Sequence, residues 1–523
     1  MEYRSIDGTV PGLDGAVNVT NTPFIRLTDA YYADDARSLR DGPNAREISN
    51  VVVGQGDAAV ENPQGFSAFM YAWGQFIDHD INLTADNRTG EPISIPVPDG
   101  DANFPAGSVI PMSRADADAH GNVINAITGW LDASMVYGSD AATVARLREP
   151  DGHMTMSPGR NLPVGPVDPT GESGGNPGGL VAHLAGDGRV DENPSLTALQ
   201  TLFAREHNML VDNMYAADPT LDGETVYQQA RAIVTAEIQN ITYTEFLPHL
   251  LGGMMFGAYA GYDPLVDPRM AIEFAGAAYR FGHSTVSDVT EKLDEYGNAS
   301  GEVPLKDTFF LTPDAFAADG GADGLLRHLG ADHAQAMDVR IVDDLRNFLF
   351  DPPVVVDLAA INIQRGRDLG LPHLNEMREA LHLDPYTDFC QITDDQGTVQ
   401  ALAQVYASVD DIDLWTGGLA ERVVPGAFVG ETFGLIIADQ FARTRDGDPL
   451  WWQNQGFDDA TTTFIRHSGL TDIILRNTDT QYLQDDPFIA YERHAAGTPA
   501  MDPEAPQLLI PVPATAGCDH LLA

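Results

Sequence analysis

Apolar residues recur at helical spacing along most of this chain, for example over Val226 to Leu251 and over Val355 to Leu381. Spacings of three and four residues place such side chains on one face of an α-helix. No period of roughly 20 to 50 residues is repeated, which argues against a repeat array. Two stretches rich in Pro and Gly, Arg88 to Arg114 and Ser157 to Arg189, interrupt the pattern. The pattern predicts a mainly α-helical protein with long Pro/Gly-rich loops and little β-structure.

The two Pro/Gly-rich stretches separate polar motifs whose residues are expected to form one site. They are therefore expected to be long loops inside a domain, and not linkers between domains. With 523 residues and 43 % hydrophobic content, the chain can bury a large core. We expect one domain over residues 1–523.

The charge balance is strongly acidic, with 77 acidic against 29 basic residues and a net charge of −48. Such a surface repels the phosphate backbone, which excludes a general role in binding nucleic acid. Acidic surfaces favour hydration and solubility. The few arginines that fall inside motifs are correspondingly more informative.

Only two cysteines occur, Cys390 and Cys518. A disulfide framework, a Cys-rich zinc site and a Cys-ligated iron–sulfur cluster are therefore excluded. No segment approaches the ~20 apolar residues of a transmembrane helix, and the first residues lack the pattern of a signal peptide. We expect a soluble chain.

The segment Trp73 to Asp80 places a base, an amide and two carboxylates on about two helical turns. Gln75 and His79 are four residues apart and share a face, with Asp78 at its edge and Asp80 on the opposite side. Taken alone, this segment is equally compatible with a solvated helix. With partners elsewhere, His79 and Gln75 would face a pocket while Asp80 faced a cation.

The segment Thr128 to Ser134 offers oxygen atoms at alternate positions. On extended backbone, alternate groups point the same way, and Ca²⁺ requires six to eight oxygens. The alternative is a polar turn that binds no metal. A carboxylate from Asp80 beside the segment would favour the calcium site over this alternative. The expected calcium ligands are Asp80, Thr128, Trp130 through its carbonyl, Asp132 and Ser134.

Three further motifs follow, Gly186 to Glu192, Ala278 to His283 and Ile361 to Asp368. In this order, the five motifs resemble the animal-type haem peroxidases of the peroxidase–cyclooxygenase superfamily. The resemblance runs from about residue 20 to about residue 490 and includes connecting stretches such as Arg205-Glu-His-Asn208. The scarcity of cysteine distinguishes the chain from vertebrate members and favours a bacterial one.

The resemblance implies haem b bound through the imidazole of His283. It assigns Asn362 as the acceptor of the hydrogen bond from the imidazole N–H, which makes the ligand more electron-rich. It makes Arg365 a partner of a haem propionate, and Arg280, one turn before His283, is placed to be another.

On the opposite side of the haem, the resemblance makes His79 a general base and then a general acid in the cleavage of H2O2. Arg189 would stabilise the negative charge on the departing oxygen. Gln75 would hold a water or a halide beside them.

Asp78 and Glu192 match the two carboxylates that form ester links to haem methyl groups in mammalian members. Asn193 occupies the position of the methionine that forms a sulfonium link in myeloperoxidase, and it cannot form that bond. The haem linkage is therefore expected to be similar to that of lactoperoxidase.

The function that the resemblance implies is reduction of H2O2 to water with oxidation of halides, thiocyanate or small aromatic donors, in a secreted protein that responds to oxidative stress. Three alternatives stay open: a manganese(II)-oxidising peroxidase, a fatty-acid dioxygenase and a calcium-dependent extracellular module without catalysis. The dioxygenases use a tyrosyl radical three residues before the proximal histidine, where this chain has Arg280, and Tyr279 is one position away. Intact His79, Arg189 and His283 argue against a module without catalysis.

Overall fold

The computed structural model describes residues 2–13, 17–34, 37–56, 60–85, 90–166, 181–295, 298–318, 320–349 and 355–491. Parts of both Pro/Gly-rich stretches and Cys518 lie outside these ranges. Cys390 is an exposed free thiol.

Helices dominate the described residues, which confirms the predicted fold class. The α-helices are α1 (Ala45–Ile48), α2 (Phe69–Ile81), α3 (Ser134–Tyr137), α4 (Ala141–Leu147), α5 (Pro194–Ala217), α6 (Gly223–Ile241), α7 (Leu247–Leu251), α8 (Ile272–Gly276), α9 (Pro313–Ala318), α10 (Ala322–Ala331), α11 (Asp343–Arg346), α12 (Leu358–Asp368), α13 (Leu374–Ala380), α14 (Gln396–Val405), α15 (Leu414–Ala420), α16 (Glu431–Asp446), α17 (Asp459–Arg466) and α18 (Leu470–Asn477). Short 3₁₀ turns include Gly252–Met254, Ala278–Ser284 and Trp452–Asn454, and π-turns occur at Ser49–Val53 and Thr242–Phe246.

Strands are short and pair antiparallel, two at a time, in the described part of the chain. The pairs are β1 (Thr22–Pro23) with β4 (Ile124–Asn125), β2 (Ile95–Pro96) with β3 (Val109–Ile110), β5 (Val164–Pro166) with β6 (Val181–His183), and β7 (Val289–Leu293) with β8 (Ala299–Pro304). The β2–β3 and β5–β6 pairs lie in the two Pro/Gly-rich stretches, whose other described residues are mostly irregular.

Helix α2 is held rigidly because it is buried on almost every side. Trp73 and Phe76 are fully buried, and the Phe76 ring stacks on Phe203 of α5 with centroids 5.2 Å apart. Asn193 caps α5 by accepting from the backbone N–H of Leu196, and Pro194 occupies its first turn. The rigid α2–α5 pair fixes the position of the polar end of α2, where His79 lies.

The helical pattern over Val355 to Leu381 is divided in two, into α12 and α13. Gly370 between them has a φ of +63°, a left-handed conformation that ends the first helix. Pro372 follows it and lacks the N–H that a continuing helix needs. The pattern over Val226 to Leu251 continues from α6 through a π-turn into α7, close to the predicted range.

One hydrophobic cluster extends from Phe24 to Phe488 and includes most of the helices. None of the helices in the described ranges is both long enough and apolar enough to cross a lipid bilayer.

Candidate functional site

A cavity of about 340 Å³ lies between α2, the turn before α5 and the 3₁₀ turn Ala278–Ser284. It brings residues from three of the five sequence motifs together. The residues that line it include Tyr71, Gly74, Gln75, Asp78, His79, Arg189, Glu192, Asn193, Tyr279, Arg280, Phe281, His283, Val286, Leu305, Phe309, Phe310, Leu345, Leu349 and Leu358. Polar groups therefore meet an apolar wall within one cavity, as is usual for a ligand site.

His79 lies at the polar side of the cavity with its side chain almost fully buried. Its Nε2 is 3.7 Å from a carboxylate oxygen of Glu192, and its Nδ1 is 3.9 Å from a carboxylate oxygen of Asp187. Burial, together with the charge of Arg189, lowers the pKa of His79 to about 3. The imidazole is thus neutral near pH 7 and is able to accept a proton.

Asp187 holds Arg189 beside His79. Its carboxylate accepts hydrogen bonds from the Arg189 backbone N–H at 2.9 Å, from Nε at 2.8 Å and from Nη2 at 2.8 Å. Arg189 Nη2 also donates to the carbonyl of Asn82, and Nη1 lies 3.8 Å from Asp78. A guanidinium bound on several sides loses little further entropy when it meets a substrate.

Gln75 belongs to a short polar chain at the edge of the cavity. Its amide nitrogen donates to Glu192 at 3.0 Å, and its amide oxygen accepts from Asn193 at 2.7 Å. Burial raises the pKa of Glu192 to about 7, although Arg189 opposes that shift. Gln75 and His79 line the same cavity, in agreement with the predicted helical face.

Asp78 also lines the cavity, at the edge of that face. It accepts a hydrogen bond from the amide of Asn82. Burial raises its pKa, while the charges of Arg189 and Arg280 act in the opposite direction. Asp78 and Glu192 are each only partly exposed, with side-chain accessibilities of 26 % and 31 %.

His283 lines the cavity from the 3₁₀ turn, with Asn362 of α12 behind it. The Asn362 amide nitrogen lies 2.7 Å from His283 Nδ1, and its oxygen accepts from Arg280 Nη1 at 3.0 Å. The two residues are in contact, but the amide nitrogen, and not the predicted oxygen, faces the ring, because Arg280, which is only a donor, takes the oxygen. A half-turn of the amide exchanges these two atoms. Acceptance of Nδ1–H by Asn362 stays a prediction.

Arg280 lines the cavity, whereas Arg365 is not among its lining residues. Arg365 Nη1 donates to Asp368 at 2.7 Å, and its charge contributes to the lowered pKa of Arg280, of which burial is the larger cause. The roles of both arginines toward a propionate stay predictions.

Asp80 points away from the cavity and meets the Thr128–Ser134 segment. Its carboxylate accepts from the backbone N–H groups of Ala133 and Ser134 and from the Ser134 hydroxyl. The Thr128 hydroxyl donates to Asp132 at 3.0 Å. Burial and the neighbouring charge of Asp132 raise the pKa of Asp80 to about 8.

The backbone of this segment is not extended, contrary to expectation. Trp130, Leu131 and Asp132 form a bend, Ala133 has a left-handed φ of +63°, and Ser134 begins α3. The bend nevertheless gathers Thr128, Asp132 and Ser134 near Asp80. The Trp130 indole donates to the carbonyl of Gly8 at 2.9 Å.

One residue and one contact of the site were not foreseen from the sequence. Asp187 stands two positions before Arg189, a spacing at which an Asp side chain commonly accepts from the backbone of the second residue. That local signal was available. The contact of Asn193 with Gln75 joins residues 118 positions apart, and no local pattern indicates it.

The chain belongs to the animal haem peroxidase family, whose model matches residues 3–488. It is 35 % identical to thyroid peroxidase from Sus scrofa over 93 % of this chain, and spans only 60 % of that protein's length. It is 33 % identical to peroxinectin A from Dictyostelium discoideum, with 83 % of this chain and 85 % of the relative covered. These relatives confirm the predicted family and support the predicted enzyme class.

Among solved structures, peroxidase A from Dictyostelium discoideum superposes with a TM-score of 0.83 at 30 % identity, covering 94 % of this chain and 100 % of that one. A fatty acid alpha-dioxygenase from Oryza sativa superposes with a TM-score of 0.79 over 94 % of this chain and 88 % of that chain, at 20 % identity. The second likeness concerns the fold alone.

Proposed function

We propose that this protein is a haem peroxidase that reduces H2O2 to water and oxidises small donors. The observation that carries the proposal is that His79 and His283 line one cavity, with Arg189 fixed beside His79 by Asp187. His283 contacts the amide of Asn362. His79 lies beside the Arg189 guanidinium and carboxylates. The two histidines thus have the different surroundings that a metal ligand and a proton-transfer group need.

The residues present fit a haem group. His283 lines the cavity and its Nδ1 contacts Asn362; with the amide turned so that its oxygen accepts from Nδ1–H, Nε2 would carry no proton and would be the ligand atom. The apolar wall of Val286, Phe309 and Leu349 suits a macrocycle. Arg280 and Arg365 are the cations proposed for its propionates. Bound haem would supply an open coordination position and accept the oxidising equivalents of H2O2.

His79 carries the proton transfer in this proposal. With the Nδ1 proton on the side of Asp187, Nε2 accepts a proton from one of the two oxygen atoms of H2O2. The same imidazolium returns the proton to the departing oxygen, which leaves as water. Arg189 stabilises the negative charge that develops on that oxygen.

Steady-state turnover of haem-loaded protein tests the proposal. The donors would be iodide, bromide, thiocyanate, a phenol and Mn²⁺, each with and without H2O2. We expect H2O2-dependent oxidation of at least one halide, thiocyanate or phenol. Haem-loaded protein that consumes no H2O2 with any of these donors would refute the proposal.

We also propose that Ca²⁺ binds at Asp80, Thr128, Asp132 and Ser134, with the Trp130 carbonyl. Asp80 and Asp132 are both buried, and an Asp132 carboxylate oxygen has no hydrogen-bond partner in the described part of the chain. Two neighbouring buried carboxylates repel each other even when they accept hydrogen bonds, and a cation between them would offset that cost. Arg4 already offsets part of it, with Nε 3.7 Å from Asp132.

The calcium proposal depends on neutral oxygens as well as carboxylates. Within the described ranges, no group of three or more His, Cys, Asp or Glu side chains is arranged to hold a metal. The hydroxyl and carbonyl oxygens would therefore complete the shell, as is usual for Ca²⁺. Because Asp80 directly follows His79 on α2, the ion would also fix the end of the helix that carries the base.

Removal of Ca²⁺ is expected to lower both the melting temperature and the peroxidase rate. At a free Ca²⁺ concentration of about 100 times Kd, binding adds about 2.7 kcal/mol to the free energy of unfolding. Thermal melts with and without a chelator measure this loss. Asp80→Asn should abolish the response to chelator, and Asp99→Asn, at an exposed site, should keep it. Fully active enzyme without calcium in elemental analysis would contradict the proposal.

We further propose that Asp78 and Glu192 form ester bonds to haem during turnover. Both line the cavity, and burial raises the pKa of each. Each ester replaces one methyl C–H and one carboxyl O–H bond and releases two electrons and two protons, which reduce one H2O2 to two waters. Asn193 offers no thioether for a third link.

After brief exposure to H2O2, haem is expected to resist extraction by acidified solvent. Asp78→Val combined with Glu192→Gln should restore full extraction, and each single variant should leave one link. Mass spectrometry of proteolytic peptides locates the attachment. If the peptides with Asp78 and Glu192 carry no haem after turnover, these carboxylates only bond to Asn82 and Gln75.

The remaining proposals concern the whole protein. Continuity of the hydrophobic cluster from Phe24 to Phe488 supports a single domain. The acidic surface suits hydration in a saline medium. A secreted location and a role in the response to oxidative stress are proposed from membership of the peroxidase family alone.

A further inference from the structure

Aromatic rings connect the cavity to the protein surface in an unbroken series. Tyr279 lines the cavity, and its ring centroid is 5.6 Å from that of Phe441, which is 5.9 Å from that of Tyr243. Tyr243 is 4.8 Å from Trp451, and Trp451 is 6.1 Å from Tyr259. We call these five residues the aromatic path. Tyr259, at its outer end, is partly exposed.

The outer end of the path lies on an apolar surface segment, residues 255–265, in a chain of net charge −48. Met255, Phe256 and Tyr262 are partly exposed beside Tyr259, and Leu265 is 91 % exposed. The segment is fixed in place, because Arg445 donates to the carbonyl of Gly257 at 2.9 Å. An exposed apolar and aromatic patch of this kind marks a surface for contact with apolar molecules.

We propose that Tyr259 is a second site of oxidation, at which phenolic groups too large to enter the cavity are oxidised through the aromatic path. The proposal rests on the peroxidase function proposed above. It adds a class of substrate, namely phenols carried on large molecules or particles, and a place where they react.

The chemistry of the path suits electron transfer. Tyrosine and tryptophan give up an electron more readily than most side chains, and several short steps are faster than one long step because tunnelling falls steeply with distance. Trp451 can lose an electron and keep its proton, which stays bonded to Gln453 Oε1 at 3.1 Å. Asp446 and Asp448 lie close enough to Tyr259 to contribute to the raised pKa of its hydroxyl, after burial. Both carboxylates are paired with arginines, Asp446 with Arg445 at 2.7 Å and Asp448 with Arg4 at 2.6 Å, so the path does not depend on a net negative charge beside Trp451.

The electrons and protons balance. One H2O2 withdraws two electrons from the holoenzyme in all. Each time Tyr259 supplies one electron through Trp451 and Tyr243, its phenolic proton passes to solvent. A phenol at the surface then returns one electron and one proton to Tyr259. Two such events per H2O2 restore the resting enzyme and release two phenoxyl radicals and two waters.

The inner part of the path carries the electron without proton loss. Phe441 is not oxidised, and its ring fills the space between Tyr243 and Tyr279. The Tyr279 hydroxyl has no hydrogen-bond partner among the described residues, so no base stands ready to take its proton. Trp451 and Tyr259 are therefore the residues at which the oxidising equivalent should be found.

The test combines a covalent label with a pair of donors. Holoenzyme receives H2O2 with the radical trap 2-methyl-2-nitrosopropane, and tryptic peptides are analysed by mass spectrometry. In parallel, oxidation rates are measured with iodide, which enters the cavity, and with tyramine coupled to dextran, which does not. The variants are Tyr259→Phe, Trp451→Phe and, as a matched control, the exposed Tyr482→Phe.

We expect the trap on Tyr259 in the parent and in Tyr482→Phe. Tyr259→Phe and Trp451→Phe should lose that adduct and oxidise the dextran-linked phenol at least about tenfold more slowly, with iodide rates within about twofold of the parent. The proposal is overturned if an enzyme active with iodide carries no adduct at Tyr259, or if Tyr259→Phe oxidises the polymer at the parental rate. Absence of any iodide or H2O2 turnover in the parent would instead refute the proposed function.

Discussion

Replacement of His79 by Ala should slow the reaction with H2O2 by about 10²- to 10⁴-fold, the range that a general acid–base group contributes. Haem content should not change, because His79 is not the proposed ligand of the iron. Arg189→Ala should slow the same reaction by about 10²- to 10³-fold, because it removes a hydrogen-bond donor directed at the oxygen on which negative charge develops. Stopped-flow absorbance after mixing with H2O2 measures both rates.

The pH dependence of the same reaction provides a second check. The pKa of His79 is lowered to about 3, so its neutral form should predominate through the neutral range and be lost only in strong acid. The parental rate should therefore fall as the pH approaches about 3, and His79→Ala should lack that fall. His120→Ala, at an exposed turn, serves as the control.

Rate losses below about threefold in both the His79 and the Arg189 variants would contradict the assigned roles.

Replacement of His283 by Ala should remove haem or leave it loosely bound. His283 is the second imidazole that lines the cavity, and its Nδ1 is in contact with Asn362. Haem content per chain and the absorbance spectrum of purified protein measure the effect. His283→Gly supplemented with free imidazole should recover part of the parental spectrum, because the added ligand fills the space of the lost side chain.

The residue behind His283 gives a graded control. Asn362→Leu should retain haem but lower affinity or activity by about 10- to 100-fold, as is usual when the partner of a ligating histidine is lost. The exposed His382→Ala should have no effect. Full haem content and a parental spectrum in His283→Ala would show that another residue holds the iron.

Much of the site was predictable because its parts are local. Gln75 and His79 share a face of α2 by helical geometry alone, and Asp80 turns to the other side for the same reason. The motifs that contain Arg189, His283 and Asn362 were found by resemblance. The structure brings His79, Arg189 and His283 into one cavity.

The contacts that could not be predicted are those that link distant parts of the chain. Arg280 bonds to Asn362 across 82 positions, which takes the amide oxygen that the sequence assigned to His283. The aromatic path joins residues from four separate segments, and ring contacts of this kind depend on tertiary packing. Periodicity specifies which side of an element is buried but not which ring it meets.

The predictions of backbone conformation were wrong where a single residue departs from the local pattern. Ala133 adopts a left-handed φ that is unusual for a residue with a Cβ, so alternation along Thr128 to Ser134 gave the wrong backbone but the right neighbours. Gly370 followed by Pro372 was a visible break in the helical pattern before α13, and it ends α12 as such residues commonly do.

A crystal structure of the haem-loaded protein would locate the haem and its protein ligand directly. We expect haem in the cavity between α2 and the 3₁₀ turn Ala278–Ser284, with iron bonded to Nε2 of His283. His79 and Arg189 should lie on the opposite face without a bond to iron. Haem bound outside this cavity, or iron held by His79 or by any other side chain, would contradict the account.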